Sequence, residues 1–175
     1  MRGARILLAL AWAGAWSAPA AGADALGDRL AGSWDGAGTL SSGYDAAPER
    51  GRCRIEIVQR RDGEILIVTG TCAVPSGRGK FTLRARTEGE GRLSAVGRAH
   101  GVEGSARYRG ESDASAIRLA SREPVEIDGA GHLSEFEIAL DGADGLSMRH
   151  WLTPMGGGGA RMTLDVAFER RKDGS

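Results

Sequence analysis

Arg52-Cys53-Arg54-Ile55-Glu56-Ile57-Val58-Gln59, followed by Arg60-Arg61-Asp62-Gly63 and then Glu64-Ile65-Leu66-Ile67-Val68-Thr69-Gly70-Thr71-Cys72, is the stretch that decides the fold. Cys53, Ile55 and Ile57 share one face and Arg54 and Glu56 the other, the period of two of a half-buried strand. Asp62-Gly63 is a hairpin dipeptide, and the segment from Glu64 to Cys72 returns as a second strand rich in Ile, Val and Thr. A turn centred between Asp62 and Gly63 sets Cys53 directly opposite Cys72. A disulfide across two strands prefers a non-hydrogen-bonded pair, where the side chains lie closer. A two-residue loop would put Cys53 at a hydrogen-bonded position. A four-residue loop, Arg61 to Glu64, reverses the parity and is the one expected. Closing a loop of about 20 residues in this way stabilises by roughly 3 kcal/mol.

The same alternation continues on both sides of the hairpin. Phe81, Leu83 and Ala85 alternate with Thr82, Arg84 and Arg86; Leu93, Ala95 and Gly97 with Ser94 and Arg98. Ala106 and Tyr108, Ile117 and Leu119, and Val125 and Ile127 mark further strands. Phe136, Ile138 and Leu140 alternate with Glu135 and Glu137, and Leu146, Met148 and His150 with Ser147, Arg149 and Trp151. In the last strand Met162, Leu164, Val166 and Phe168 face one way and Arg161, Thr163, Asp165 and Glu169 the other. The turns are Glu88 to Gly91, Asp128 to Gly131, Asp141 to Gly145 and the glycine run Gly156 to Gly159. Twenty-eight glycines at short intervals are hostile to helices, and helical turns fit only Asp24 to Ala31. Without crossover helices the strands pair antiparallel. One apolar face per strand leaves an up-and-down barrel of eight to ten strands or a two-sheet sandwich, and the hairpin-after-hairpin order favours the barrel.

The N-terminus reads as a secretory leader. Arg2 and Arg5 precede the apolar run Ile6 to Trp16, and small residues from Ser17 to Ala23 offer two small-x-small cleavage sites, Ala18-Pro19-Ala20 and Ala21-Gly22-Ala23. Eleven apolar residues are about half of what spans a bilayer. Residues 1–23 are expected to be removed and residues 24–175 to form one barrel domain, free rather than lipid-anchored because no cysteine stands at the cut. The full chain carries 23 basic and 23 acidic residues, and losing Arg2 and Arg5 leaves the mature protein slightly acidic. Charges of both signs are interspersed without a basic run, which argues against nucleic acid as a partner. All but two of the basic residues, Lys80 and Lys172, are arginine, the composition of a GC-rich bacterial genome. With the leader this makes the expected address the periplasm or the medium.

Gly32-Ser33-Trp34, opening the first strand after the helical turn, resembles the first-strand Gly-x-Trp motif of lipocalins and the wider calycin barrels. The resemblance implies that Trp34 closes one end of the barrel against a basic side chain of the last strand, with Arg161, Arg170 and Arg171 the candidates for a cation–π contact. Leu30 to Gly38, Arg52-Cys53-Arg54, Gly70 to Pro75 and Met162 to Arg170 together look like a family of exported alphaproteobacterial proteins, which implies address and fold but no chemistry. The first part is also similar to bacterial metalloprotease inhibitors, small calycin barrels with a Gly-x-Trp strand and one disulfide. This chain is longer and has no distinctive inhibitory arm.

Nothing in the residues forms a catalytic set. No serine stands in a Gly-x-Ser-x-Gly elbow. The run Gly156 to Gly159 lacks the Lys and Ser/Thr of a phosphate loop. The carboxylates fall on exposed faces or in turns. His100, His132 and His150 do not have zinc-ligand spacing, and His150 beside Met148 and Trp151 is the one segment with the residue types of a haem ligand. Cys53 and Cys72 are too far apart in sequence for a redox Cys-x-x-Cys. The expectation is therefore neither an enzyme nor a metal or cofactor protein but a monomeric, exported barrel that binds a small apolar or amphipathic molecule. The alternative is a protein–protein module such as an inhibitor of an exported protease or an envelope accessory factor. Small inward residues (Gly36, Gly38, Gly70, Ala85, Ala95, Gly97) would open the interior, and Phe81, Phe136 and Phe168 would fill it.

Overall fold

The computed structural model describes residues 23–61 and 63–172. The expected leader and its cleavage sites therefore lie, but for Ala23, outside the described residues. A short helix, α1 (Ala23–Leu30), precedes eleven strands: β1 (Gly32–Leu40), β2 (Glu49–Arg60), β3 (Ile65–Val74), β4 (Gly77–Thr87), β5 (Arg92–Ala99), β6 (Ala106–Ser112), β7 (Ala116–Ser121), β8 (Val125–Ile127), β9 (Ala130–Asp141), β10 (Gly145–Pro154) and β11 (Arg161–Arg170).

Consecutive strands pair antiparallel from β1 to β7. β9 joins β7 to β10, and β11 returns to β1, so ten strands close into a barrel of the lipocalin-like kind. β8 stands outside the ring as a short hairpin partner of β9, joined to it by Asp128 and Gly129 with φ of 52° and 75°. Positive φ at both central residues is what a type I′ hairpin demands, and Asp-Gly supplies it. Closure removes the unpaired edges that an open sheet of this length would expose.

The cysteine hairpin follows the expected register. Cys53 pairs with Cys72 and Arg60 with Ile65, so the four residues from 61 to 64 form the loop. The cysteines are disulfide-bonded, their Cα atoms 4.1 Å apart. That separation belongs to a non-hydrogen-bonded pair.

One interior cluster runs through the barrel from Leu26 and Leu30 of α1 through Trp34, Ile55, Ile57 and Val68 to Ile138, Met148 and Val166. The glycines on inward positions do not leave vacant space. Phe168 of β11 lies over Gly36, Phe81 of β4 over Gly70, and the Tyr108 ring edge reaches within 3.1 Å of where a Cβ on Gly97 would stand. Ring and glycine are directly cross-strand in the first two pairs. The small and the large inward residues are thus two halves of one packing, the missing side chain being the seat of the neighbour's ring. Gly70→Ala should cost about 1–3 kcal/mol by overpacking, because its Cβ would meet the Phe81 ring and stand 2.9 Å from Cγ2 of fully buried Ile55. A fall in the urea midpoint checks it; an unchanged midpoint would mean the ring moves aside freely.

The alternation in β11 needs a correction. Pairing with β10 slips between His150 and Trp151, so that His150 opposes Leu164 but Trp151 opposes Met162. The extra residue of this bulge carries Thr163, expected outward, to 5% exposure and leaves Met162, expected inward, 44% exposed. A strict period of two cannot foresee a bulge.

Candidate functional site

Two groups of side chains occupy the two ends of the barrel. At the α1 end, Trp34 is fully buried, and its indole Nε1 donates to the Leu30 carbonyl at 3.0 Å. The Arg170 guanidinium lies 4.1 Å from the centre of the Trp34 ring. It also donates to the carbonyls of Ala31 at 2.7 Å and Arg29 at 2.5 Å. One arginine of the last strand thus stacks on the tryptophan and binds carbonyls that the end of a helix leaves without intrahelical partners. Of the three basic candidates, Arg161 is instead at the other end, donating to the carbonyls of Tyr44 at 2.6 Å and Ala46 at 2.9 Å.

Inside the barrel, away from α1, a chain of polar side chains crosses four strands. Tyr108 Oη and Ser134 Oγ are 3.1 Å apart, Ser134 Oγ and His150 Nε2 2.8 Å, and His150 Nδ1 and Thr163 Oγ1 2.6 Å. One proton assignment satisfies every member. Tyr108 donates to Ser134, Ser134 donates to Nε2, and Nδ1 donates to Thr163, whose hydroxyl faces the His150 carbonyl at 3.4 Å. The backbone N–H of Ser134 donates to Ser121 Oγ at 3.0 Å. Burial pushes the Tyr108 phenol above its ordinary value, which keeps its proton in place as the first donor. With both ring nitrogens of His150 engaged, the imidazole offers no free position for a haem iron or other metal.

Burial lowers the His150 imidazole from 6.5 to about 4. It is neutral in the folded protein at pH 5–6, where the unfolded chain would already bind a proton. Stability from this group is therefore fully present above the unfolded value and is lost as pH falls toward 4. The expected loss between neutral pH and pH 4.5 is about 2 kcal/mol. Urea titrations at the two pH values should show it in the native protein and show it much reduced in His150→Gln. An equal pH dependence in both would mean other groups carry it.

Around this chain several inward-facing apolar side chains are only partly buried: Leu40, Phe81, Phe136 and Leu164, with the Phe136 and His150 rings 5.9 Å apart. His150 itself is only partly covered. Phe136 and Leu164 lie directly across from His150 on the two neighbouring strands, and Leu40 lies across from Leu164. The sequence singled out His150 but not its hydrogen-bond partners. Ser134 was legible as a polar residue on the inward parity of β9; Thr163 was not, because only the bulge brings it in.

A concavity of about 1670 Å³ lies across β11, β1, β2, β3 and β4, lined mostly by outward side chains and, at the glycine positions, also by Gly36, Gly70, Phe81 and Phe168. Its floor is made of small outward residues such as Ala37, Thr69, Thr71 and Ala167, and its walls carry charges of both signs, among them Arg52, Arg54, Asp35 and Glu169. Asp35 accepts from Arg54 at 2.8 Å, and this hydrogen bond, with the guanidinium charge beside it, holds the Asp35 carboxyl below its ordinary range. Among the described residues no cluster of three or more His, Cys, Asp or Glu side chains could hold a metal ion. No helix among them is long and apolar enough to cross a membrane.

No family model and no curated protein matches the chain, so the resemblances to exported alphaproteobacterial proteins and to metalloprotease inhibitors gain no support beyond their motifs. Among solved structures the chain is similar to an S-type phycobiliprotein lyase from Guillardia theta. The two are 12% identical, with a TM-score of 0.54 over 85% of this chain and 92% of that one. At this identity the likeness is one of fold, shared over most of both chains.

Proposed function

We propose that this protein is an exported carrier or binding barrel for a small amphipathic molecule, held in the lumen on the side away from α1. The observation that carries the reading is the partly exposed lumen wall of Leu40, Phe81, Phe136 and Leu164 beside the Tyr108–Ser134–His150–Thr163 chain. Apolar walls with a few convergent polar groups are the usual make-up of a small-molecule site. The ligand's apolar part lies against the four hydrophobic residues, beside the hydroxyl and imidazole chain. Trp34, Arg170 and α1 close the opposite end, so that entry is from the side of the loops between β1 and β2 and between β10 and β11. The protein works as a monomer in the periplasm or the medium after loss of residues 1–23. The fold likeness to a phycobiliprotein lyase supports a barrel and leaves the ligand open.

Native mass spectrometry of protein purified from its own periplasm tests the reading. The expected result is a small molecule that leaves on denaturation and is absent from Leu164→Trp, which fills the lumen. A native protein of bare chain mass, together with no uptake of an amphipathic fluorescent probe by protein that Leu164→Trp leaves no different, would overturn it. The second reading, a protein-binding module, is favoured by the outer concavity with its small-residue floor. It predicts instead that Ala37→Arg, and not Leu164→Trp, removes partner binding.

A further inference from the structure

The outer faces of the barrel divide their charges unequally. On β7, β9, β10 and β11 every arginine at mid-strand has a carboxylate across from it. Asp113, Arg118, Glu137, Arg149 and Asp165 form a continuous ladder with steps of 2.8, 3.1, 3.3 and 3.4 Å. On the far side, β4, β5 and β6 carry no such ladder. Arg84 and Arg86 project outward from β4 and Arg107 and Arg109 from β6, all exposed, and between them β5 presents Ser94 and Val96, with Arg92 (paired to Glu90) and Arg98 at its two ends. Arg84 and Arg107 flank Val96 directly, Arg86 and Arg109 flank Ser94, and Arg98 stands two residues further along β5 on the same face. Among the described residues none of these five arginines is in an ion pair. Val96, at their centre, is 46% exposed. Beside them Ile65 of β3, outward between Arg60 and Arg86, is only 3% exposed, and such stems cover apolar surface while their heads stay in water.

We propose that the β4–β5–β6 face is a docking surface for an anionic phospholipid membrane, distinct from the lumen site and independent of whether that site is filled. Charge complementarity is the argument. Five guanidinium groups outside any ion pair surround one exposed aliphatic side chain; only Arg107 borders a concavity, at the β6 end beside Glu103, Glu123 and Glu126, and a lipid surface needs no shaped socket. Arginine forks bind phosphate oxygens bidentately. Each basic residue at an anionic bilayer surface contributes about 1 kcal/mol, enough in sum for reversible attachment. Insertion is excluded for the same face, because arginines at mid-strand oppose any lipid-facing apolar band. The basic face is assembled by pairing β4 with β5 and β5 with β6, which is why the sequence, with charges of both signs interspersed, gave no sign of it.

Co-sedimentation with phosphatidylglycerol-containing vesicles, using protein prepared by expression of the full chain, tests the proposal. The native protein should bind these vesicles, should not bind pure phosphatidylcholine vesicles, and should be released as salt is raised. The pair Arg84→Glu and Arg107→Glu should weaken binding by at least about tenfold. Circular dichroism and the urea midpoint check that this variant is folded; if it is not, Arg98→Glu with Arg109→Gln is read in the same assay with the same expectation. No binding to anionic vesicles, binding that a folded charge-reversed variant retains, or equal binding to phosphatidylcholine would each overturn it. Retention by an acidic protein or a heparin column without vesicle binding would overturn it as well.

Discussion

Trp34→Ala is expected to destabilise the protein by about 3–5 kcal/mol, the range for removing a large aromatic from a packed interior. Three losses coincide. The indole is fully buried at the α1 end of the core, its Nε1 holds the Leu30 carbonyl, and its ring receives the Arg170 guanidinium. Without the ring, Leu26 and Leu30 lose their floor and α1 loses its anchor to the barrel. Arg170→Met separates the parts. It keeps an unbranched stem against the indole and removes the guanidinium, so it should cost roughly the 0.5–1 kcal/mol of an incompletely buried cation–π contact together with the caps on Arg29 and Ala31. Urea unfolding followed by circular dichroism measures both. Equal losses in the two variants would mean that capping of α1, and not burial of the ring, holds this end of the barrel.

Removing the disulfide is the second large effect. Cys53→Ala with Cys72→Ala should lower stability by about 2–4 kcal/mol while leaving the fold intact. The fold survives because the hairpin is held by pairing along all of β2 and β3 and by Ile55, Ile57 and Val68 behind it. The bond chiefly restricts the unfolded chain, so the loss should appear equally when the native protein is unfolded in the presence of a reductant. Thiol labelling of folded, unreduced protein should modify neither cysteine. Labelling of both would mean the pair is open in the native state and that the leader reading, which calls for an oxidising compartment, needs revision.

Two features of the sequence were enough to state the fold. Period-two alternation in segments such as Cys53 to Ile57 and Leu93 to Gly97 specifies which side chain faces the core, and Asp-Gly and Gly-rich turns at short spacing allow only neighbours in sequence to pair. Both signals are local, which is why they survive in one dimension. The opposed cysteines even gave the hairpin loop its length, because disulfide geometry reads strand parity directly. Trp34 was legible for a different reason, a motif at a fixed distance from the helical turn.

The candidate site was legible only in part. Ser134 and His150 are polar residues on inward positions, and that much is written in the alternation. Their partners come from strands far apart in sequence, and Thr163 reaches His150 through a bulge that breaks the very rule used to read the strand. The interior volume was equally beyond reach. A glycine contributes space only if nothing facing it fills the gap, and Gly36 and Gly70 sit beneath Phe168 and Phe81 because of cross-strand register.

The sequence by itself determined the strands, the faces they bury outside the β11 bulge, the cysteine register and the antiparallel order, since each depends on residues within one hairpin. Only the tertiary structure decided that β11 closes on β1, that Arg170 and not Arg161 meets Trp34, that four strands bring Tyr108, Ser134, His150 and Thr163 into one chain, and that five arginines share an outer face. Those are contacts between residues tens of positions apart. Their geometry is set by the closure of the whole barrel rather than by any preference a short segment carries.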